Sequence, residues 1–403
     1  MTVHRQIFIL KNIGVLFFAL IVLFSGQSLA MGNQDVEQNT PAEKSTQEAI
    51  LSQAADSLDL TVLNRFIQSL DNDITQYLPS IDPKTWGPGG PEWNLPVIGK
   101  GIINYFLREI VFNLRLLGEL LLIIMALAIL QNLQHAFETD TVNQIAFGLC
   151  FLIVMGIVLN SYRVTFQIAG GAVKEMSNFM YAIIPLMFSL IAASGNITTV
   201  TIVHPILISA VNIVSGLVRS IIFPLILFSG ILGMVNFIIT GFQINKLANL
   251  LKNTAIGLMG LAMTLFIGII TIRGFSASVT DSMALRTAKY FSNTFLPVVG
   301  GVISDTMEMA TGCSIILKSG LGVFGLGLVV LISIFPLIKI LTVAVIYHLS
   351  SAVIQPLGDL RMADALQAVG QMFLYLFGAV AVVGLMFFIS LSILVGIANY
   401  GMR

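Results

Sequence analysis

The sequence predicts an all-α, polytopic helical membrane protein whose body is an internal repeat of about 112 residues built on Pro-broken helices. Three observations predict it. The chain has 403 residues, of which 56% are hydrophobic and only 10% charged, with a mean hydropathy of +0.93; soluble domains carry about 25% charged residues. Its apolar stretches are long and lack the short alternating strands of a membrane barrel. And one stretch, IIFPLI at Ile221–Ile226, returns as SIFPLI at Ser333–Ile338.

Each copy of that stretch sits inside an apolar run of about 39 residues, roughly 202–240 and 314–352. An unbroken helix of that length would be about 58 Å long, against a hydrocarbon core of about 30 Å. Proline removes a backbone donor and clashes with the preceding turn, so Pro224 and Pro336 are where each run is expected to bend or reverse. Pro185 precedes Pro224 by 39 positions, and Pro297 precedes Pro336 by the same 39. Ala255-Ile256-Gly257 follows the first copy and Ala368-Val369-Gly370 the second, while Ala146-Phe147-Gly148 precedes both. The expected units are 145–254 and 255–367, closed by a final transmembrane helix at 368–403. The competing reading is chance, because Ile, Leu, Phe and Pro are common in membrane helices.

The chain in order begins with a secretory signal at 1–30: Arg5 and Lys11, an apolar core from Ile13 to Phe24, then Ser28-Leu29-Ala30. The alternative is an uncleaved anchor; either way the next segment is expected outside the cytoplasm. Residues 31–97 form an acidic extracytoplasmic segment with ten acids and three bases, against fifteen bases and ten acids in 98–403. From 49 to 78 apolar residues recur at helical spacing, predicting one or two amphipathic helices that pack on the chain's own body, the bilayer surface or a partner. The loop Thr85–Trp93, TWGPGGPEW, holds the chain's two tryptophans and is expected to rest at the outer membrane interface. Residues 98–144 read as an amphipathic helix leading into the first span. Ten candidate membrane segments follow between 116 and 398, with seven or eight expected to cross. Four crossings per unit would make the two copies parallel; three would invert them. The basic loop around Lys246 and Lys252 against the acidic 359–364 mildly favours inversion.

Nothing in the chain reads as an enzyme. A phosphate-binding loop, GxSxG and HExxH are all absent, and the four histidines are scattered. No cofactor, metal or nucleic-acid partner is expected. Cys150 and Cys313 read as small core residues. The candidates for function are charges and hinges in apolar surroundings: Arg219 before Pro224, Lys339 after Pro336, and, more weakly, Glu119 and Lys318. A charge at bilayer depth costs about 2.5–3.5 kcal/mol on insertion scales, so it faces protein or water, or snorkels to the surface. The glycines Gly320, Gly322, Gly325 and Gly327 read as a packing signal, with a flexible gate as the other reading.

The signal-like start, the acidic outer segment ending in WGPGGPEW and the repeated apolar body together resemble the stage III sporulation protein AE family of endospore-forming bacteria. The resemblance covers essentially the full chain and rests on layout, so it carries no catalytic residue over. It implies an integral component of the channel between mother cell and forespore, in the mother-cell membrane around the forespore, sustaining forespore development and late gene expression. The implied partners are other proteins of the stage III sporulation A operon, one of them a cytoplasmic ATPase and some of them ring-forming, together with forespore protein Q and the lipid bilayer. An autonomous secondary transporter of a small solute and a non-transporting assembly scaffold are the alternatives.

Overall fold

The computed structural model describes residues 58–80, 90–135, 140–235, 244–295, 299–357 and 360–397. The expected signal, the tether and Trp86 lie outside the described residues. Two short helices come first, α1 (Thr61–Gln68) and α2 (Asn72–Thr75), followed by α3 (Leu95–His135) and α4 (Asp140–Ala193). Next comes α5 (Ile197–Leu217), which passes through a wide π-helical turn (Val218–Ile222) into α6 (Phe223–Val235). The chain continues as α7 (Asn245–Phe295), α8 (Val299–Ile354), a short 3-10 turn (Gln355–Leu357) and α9 (Leu360–Ile397). The described residues are helical and contain no strand, as expected.

Among the described residues, five helices are long and apolar enough to cross a membrane: Gly148–Ala193, Ile197–Val235, Asn245–Ala284, Gly312–Ile354 and Leu360–Gly396. Six of the ten shorter candidate segments merge in pairs into three of these rods, whereas 116–133 lies on α3 and 289–306 straddles the end of α7 and the start of α8. The fusion overrides the short-segment reading: 145–162 and 177–194 are both parts of α4, and 314–330 and 332–352 both parts of α8.

Neither proline reverses the chain. Pro336 lies inside the continuous α8. Pro224 follows the π-helical turn, where the Phe223 N–H donates to the Val218 carbonyl five residues back. A wider turn is one way a helix absorbs the donor that proline lacks. The settings also differ in the element. Pro224 opens α6, at the end away from its connection to α7, and further along α6 the Ser229 hydroxyl donates to the Ala248 carbonyl at 2.9 Å. Pro336 lies mid-length, close to Ser333, which packs on Gly384 of α9. The internal repeat is thus not supported by matching proline environments. What the two stretches share is the plan of a helical pair: α8 and α9 are closed by the Ser351 hydroxyl on the Ala363 carbonyl at 2.7 Å, as α6 and α7 are closed by Ser229. The boundaries expected at 254 and 367 fall inside α7 and α9.

The core is built around α8 and α9. Burial reaches 67% and 78% in their most apolar windows, against 17% in that of α7, so α8 and α9 form the centre and α7 the rim. Small residues permit the close approach. Gly384 meets Ser333, Gly370 meets His348, and Gly322 meets Val395. α4 lies antiparallel to α8, joined by Ser161 with Tyr347 at 2.9 Å and by Met176 with Ser333 at 3.1 Å. Phe179, Phe223, Phe324, Phe373, Phe387 and Tyr347 fill the interior.

The segment before α3 packs on the chain's own body. Leu63, Ile67, Leu70 and Ile74 of the first two helices and their link are buried. Phe66 meets Phe179 of α4 at 5.6 Å between ring centroids, and Tyr77 stacks on Phe335 of α8 at 6.1 Å. Trp93 is drawn onto α8, where it tilts against Phe324 at 6.2 Å and fills the space a side chain at Gly327 would need. Gly90, at a φ of 87°, lies so close to Gly320 that a Cβ there would come within 3.1 Å of its Cα. The glycine cluster of α8 therefore serves as a docking rail for this loop and for the neighbouring helices.

Candidate functional site

The expected site residues fall on three helices, α3, α6 and α8, and on the π-helical turn. Arg219 is in that turn and exposed, with Pro224 just beyond it and half-buried. Lys339 and Pro336 are half-buried on α8. Among the described residues no ion pair or hydrogen bond joins Arg219 to Lys339. Glu119 is exposed on α3, where it accepts a hydrogen bond from Arg115 at 2.9 Å, one helical turn away. Such a pair contributes little to stability. Lys318 departs most from a snorkelling surface lysine: it is fully buried inside α8.

Lys339 is the focus of the richest polar cluster. Its ammonium stands 6.0 Å from the centroid of the Tyr105 ring of α3. Tyr105 is buried and meets Phe335 edge-on at 4.8 Å. Burial pushes the Tyr105 phenol above its ordinary value, and the neighbouring Lys339 charge pulls the other way. Glu109 of α3 and Asp71 before α2 supply negative charge around Lys339, and Glu175 of α4 faces the same group. One helical turn along α3, Arg108 donates to Asp73 at 2.8 Å. The Arg108 guanidinium also lies 4.8 Å from the Tyr105 ring centroid. The cluster thus fastens α2 and α3 to α4 and α8 at one height. Its chemistry is that of an electrostatic clasp around a half-buried lysine, with no nucleophile–base pair.

Sequence reasoning picked out Lys339 but missed Tyr105, Asp71 and Asp73 as its surroundings. Arg108 and Glu109 were visible only as the polar side of an amphipathic helix. It also missed Asp281, a buried acid on α7 that accepts the backbone N–H groups of Thr198 and Thr199. A lone acid in an apolar helix is a readable signal, but its partner lies too far along the chain to be guessed. A second polar group joins helices deeper in the bundle. The Tyr162 hydroxyl donates to the Phe223 carbonyl at 3.2 Å, and Phe373 lies against the rings of both Tyr162 and Tyr347. Among the described residues no group of three or more His, Cys, Asp or Glu could hold a metal ion.

The family model described as stage III sporulation protein AE matches residues 84–398. A curated Bacillus subtilis (strain 168) relative, "Stage III sporulation protein AE", is 32% identical over 398 residues, covering 96% of this chain and 98% of its own length. No solved structure matches.

Proposed function

Because the chain belongs to the stage III sporulation protein AE family, we propose that it is an integral membrane component of the channel linking mother cell and forespore. In this reading it sits in the mother-cell membrane around the forespore, with its acidic outer segment in the space between the two membranes. It works without covalent chemistry and draws on a separate ATPase for energy. Its partners are other proteins of the stage III sporulation A operon and forespore protein Q.

The observation that favours a component over a self-contained transporter is the filled interior. The centre of the bundle, around α8 and α9, is occupied by large side chains such as Phe324, Phe373, Phe387 and Tyr347. A passage formed with this chain would run between subunits. The docked outer segment supports the same reading, since it presents a preformed polar surface on one side of the bundle.

The test is recovery of the tagged chain from sporulating cells, followed by identification of what comes with it. Co-recovery of the operon's other products, together with restored heat-resistant spores when this chain replaces the relative in a deletion strain, is the expected result. Solute uptake by the purified chain alone in vesicles would overturn it in favour of an autonomous transporter. Loss of complex assembly in its absence, with no effect of replacing Arg219 and Lys339 by neutral residues, would favour a scaffold role.

A further inference from the structure

We propose that Asp281, together with the side-chain oxygens of Asn196 and Thr199, holds a monovalent alkali cation where the turn between α4 and α5 meets α7. Such a site is independent of the channel reading above and stands or falls without it.

α4 ends at Ala193 and α5 begins at Ile197, so the chain reverses within Ser194, Gly195 and Asn196. Gly195, at a φ of 87°, permits the reversal. The N–H groups of Gly195 and Asn196 close the end of α4 on the Ala192 and Ile191 carbonyls at 2.9 and 3.1 Å. Asp281 of α7 reaches this turn and accepts the Thr198 and Thr199 N–H groups. It is only 3% exposed, and among the described residues no lysine, arginine or histidine pairs with it. Backbone N–H groups ease a buried carboxylate but carry no whole positive charge, and buried charges are normally paired or bound to a metal ion.

Two further oxygens stand in the same turn with no hydrogen-bond partner: Asn196 Oδ1 and Thr199 Oγ1, on residues 4% and 0% exposed. The sense of the Asn196 amide is fixed by its surroundings. Its Nδ2 donates to the Ser194 hydroxyl at 3.1 Å and to the Ser194 carbonyl at 3.4 Å. A carbonyl only accepts, so Oδ1 is the atom left over. Thr199 carries its hydroxyl on the residue whose N–H already touches Asp281. Leaving buried polar atoms unsatisfied is costly, and a ligand that takes up lone pairs satisfies carboxylate, amide and hydroxyl together. Oxygens of these three kinds are hard donors, which suit hard cations. One carboxylate balances one positive charge. Calcium takes about six to eight oxygens, several of them from carboxylates, and among the described residues no group of three or more His, Cys, Asp or Glu is present; the class is therefore sodium or potassium. The positive end of the α5 dipole opposes a cation, but the carboxylate lies between them, and the negative end of α4 adds to it in the same turn.

The experiment is thermal unfolding of the full chain in lipid nanodiscs, in choline chloride and in sodium, potassium or calcium chloride matched for ionic strength. Sodium or potassium is expected to raise the midpoint saturably, by about 3 °C at a hundredfold excess over its dissociation constant. Whichever acts at the lower concentration is the resident ion. Asp281→Asn and Thr199→Val should each abolish the shift. Thr199→Val separates a cation site from a simple helix cap. If the hydroxyl serves no ion, deleting it leaves the chain as stable or more stable in every salt; if it is a ligand, the midpoint falls in sodium or potassium alone. Direct binding of radioactive sodium or rubidium to the purified chain, with a single ion per chain, is the second readout and needs no unfolding. Equal midpoints in choline, sodium and potassium without ion binding overturn the site, as does a shift that survives in both variants. A larger shift with calcium at equal or lower concentration overturns the monovalent assignment. Should Asp281→Asn fail to fold, Thr199→Val and the binding measurement decide.

Discussion

Asp281 on α7 accepts the backbone N–H of Thr199 at 2.8 Å across 82 positions of sequence, and its other oxygen accepts that of Thr198 at 2.9 Å. These are first-turn donors of α5 that have no partner within their own helix. Asn196 holds the position from which such donors are usually capped, yet its side chain makes no capping bond. A buried carboxylate from a distant helix has taken over the role, and it also favours the positive end of the α5 dipole.

Removing that carboxylate should therefore loosen the start of α5. Asp281→Ala is expected to cost about 1.5–3 kcal/mol, the range for hydrogen bonds to a charged group. Asp281→Asn, which keeps one acceptor, should cost less. Thermal unfolding in lipid nanodiscs reads both, and an unchanged midpoint for Asp281→Ala would show that the cap contributes nothing.

Trp93 and Gly327 form a matched pair, the indole occupying the space beside the glycine. Trp93→Ala should weaken docking of the segment before α3 by up to about 3 kcal/mol, the lower end for a buried tryptophan because Trp93 is only half-buried. Gly327→Leu should displace the same loop from the other side. Limited proteolysis is the readout: both variants should be cut faster between residues 58 and 94, while α8 and α9 stay protected.

The Arg108–Asp73 bridge is short but well exposed, with 62% and 39% of the two side chains open to solvent. Arg108→Ala should accordingly cost less than about 1 kcal/mol, and less still in high salt. A loss of several kcal/mol on unfolding would mean that the bridge works as part of a larger network with Lys339.

Tyr105 should titrate above its ordinary value of 10.0, because burial disfavours the phenolate more than Lys339 favours it. The folded value is the raised one, so the contribution of Tyr105 is intact below the unfolded value and is lost as pH rises through the folded one. Docking of the segment before α3 should thus hold through neutral pH and weaken only in strong alkali. The difference in ultraviolet absorbance between the wild type and Tyr105→Phe during an alkaline titration measures it. A midpoint at or below 10.0 would contradict the buried setting.

The helical class and the membrane environment were legible from residue content alone, because hydrocarbon admits few backbone arrangements and a chain this apolar has no other home. The paired apolar runs around IIFPLI and SIFPLI were legible as segments, but their internal breaks were not. Pro336 leaves α8 continuous, and Pro224 widens a turn without reversing the chain. A proline's effect depends on whether neighbouring helices hold the freed carbonyl and the bend in place, which local sequence does not encode.

The sequence by itself determined that this is an all-helical membrane protein, that apolar residues recur at helical spacing from 49 to 78, and that Lys339 and Arg219 stand in apolar stretches. Hydrophobicity and period are local quantities, carried by each stretch of chain alone. Only the tertiary structure decided that Tyr105 lies beside Lys339, that Asp281 caps α5, and that Trp93 rests on Gly327. Each of these joins residues remote in sequence, and packing selects them by shape and by the demand that buried donors and charges find partners.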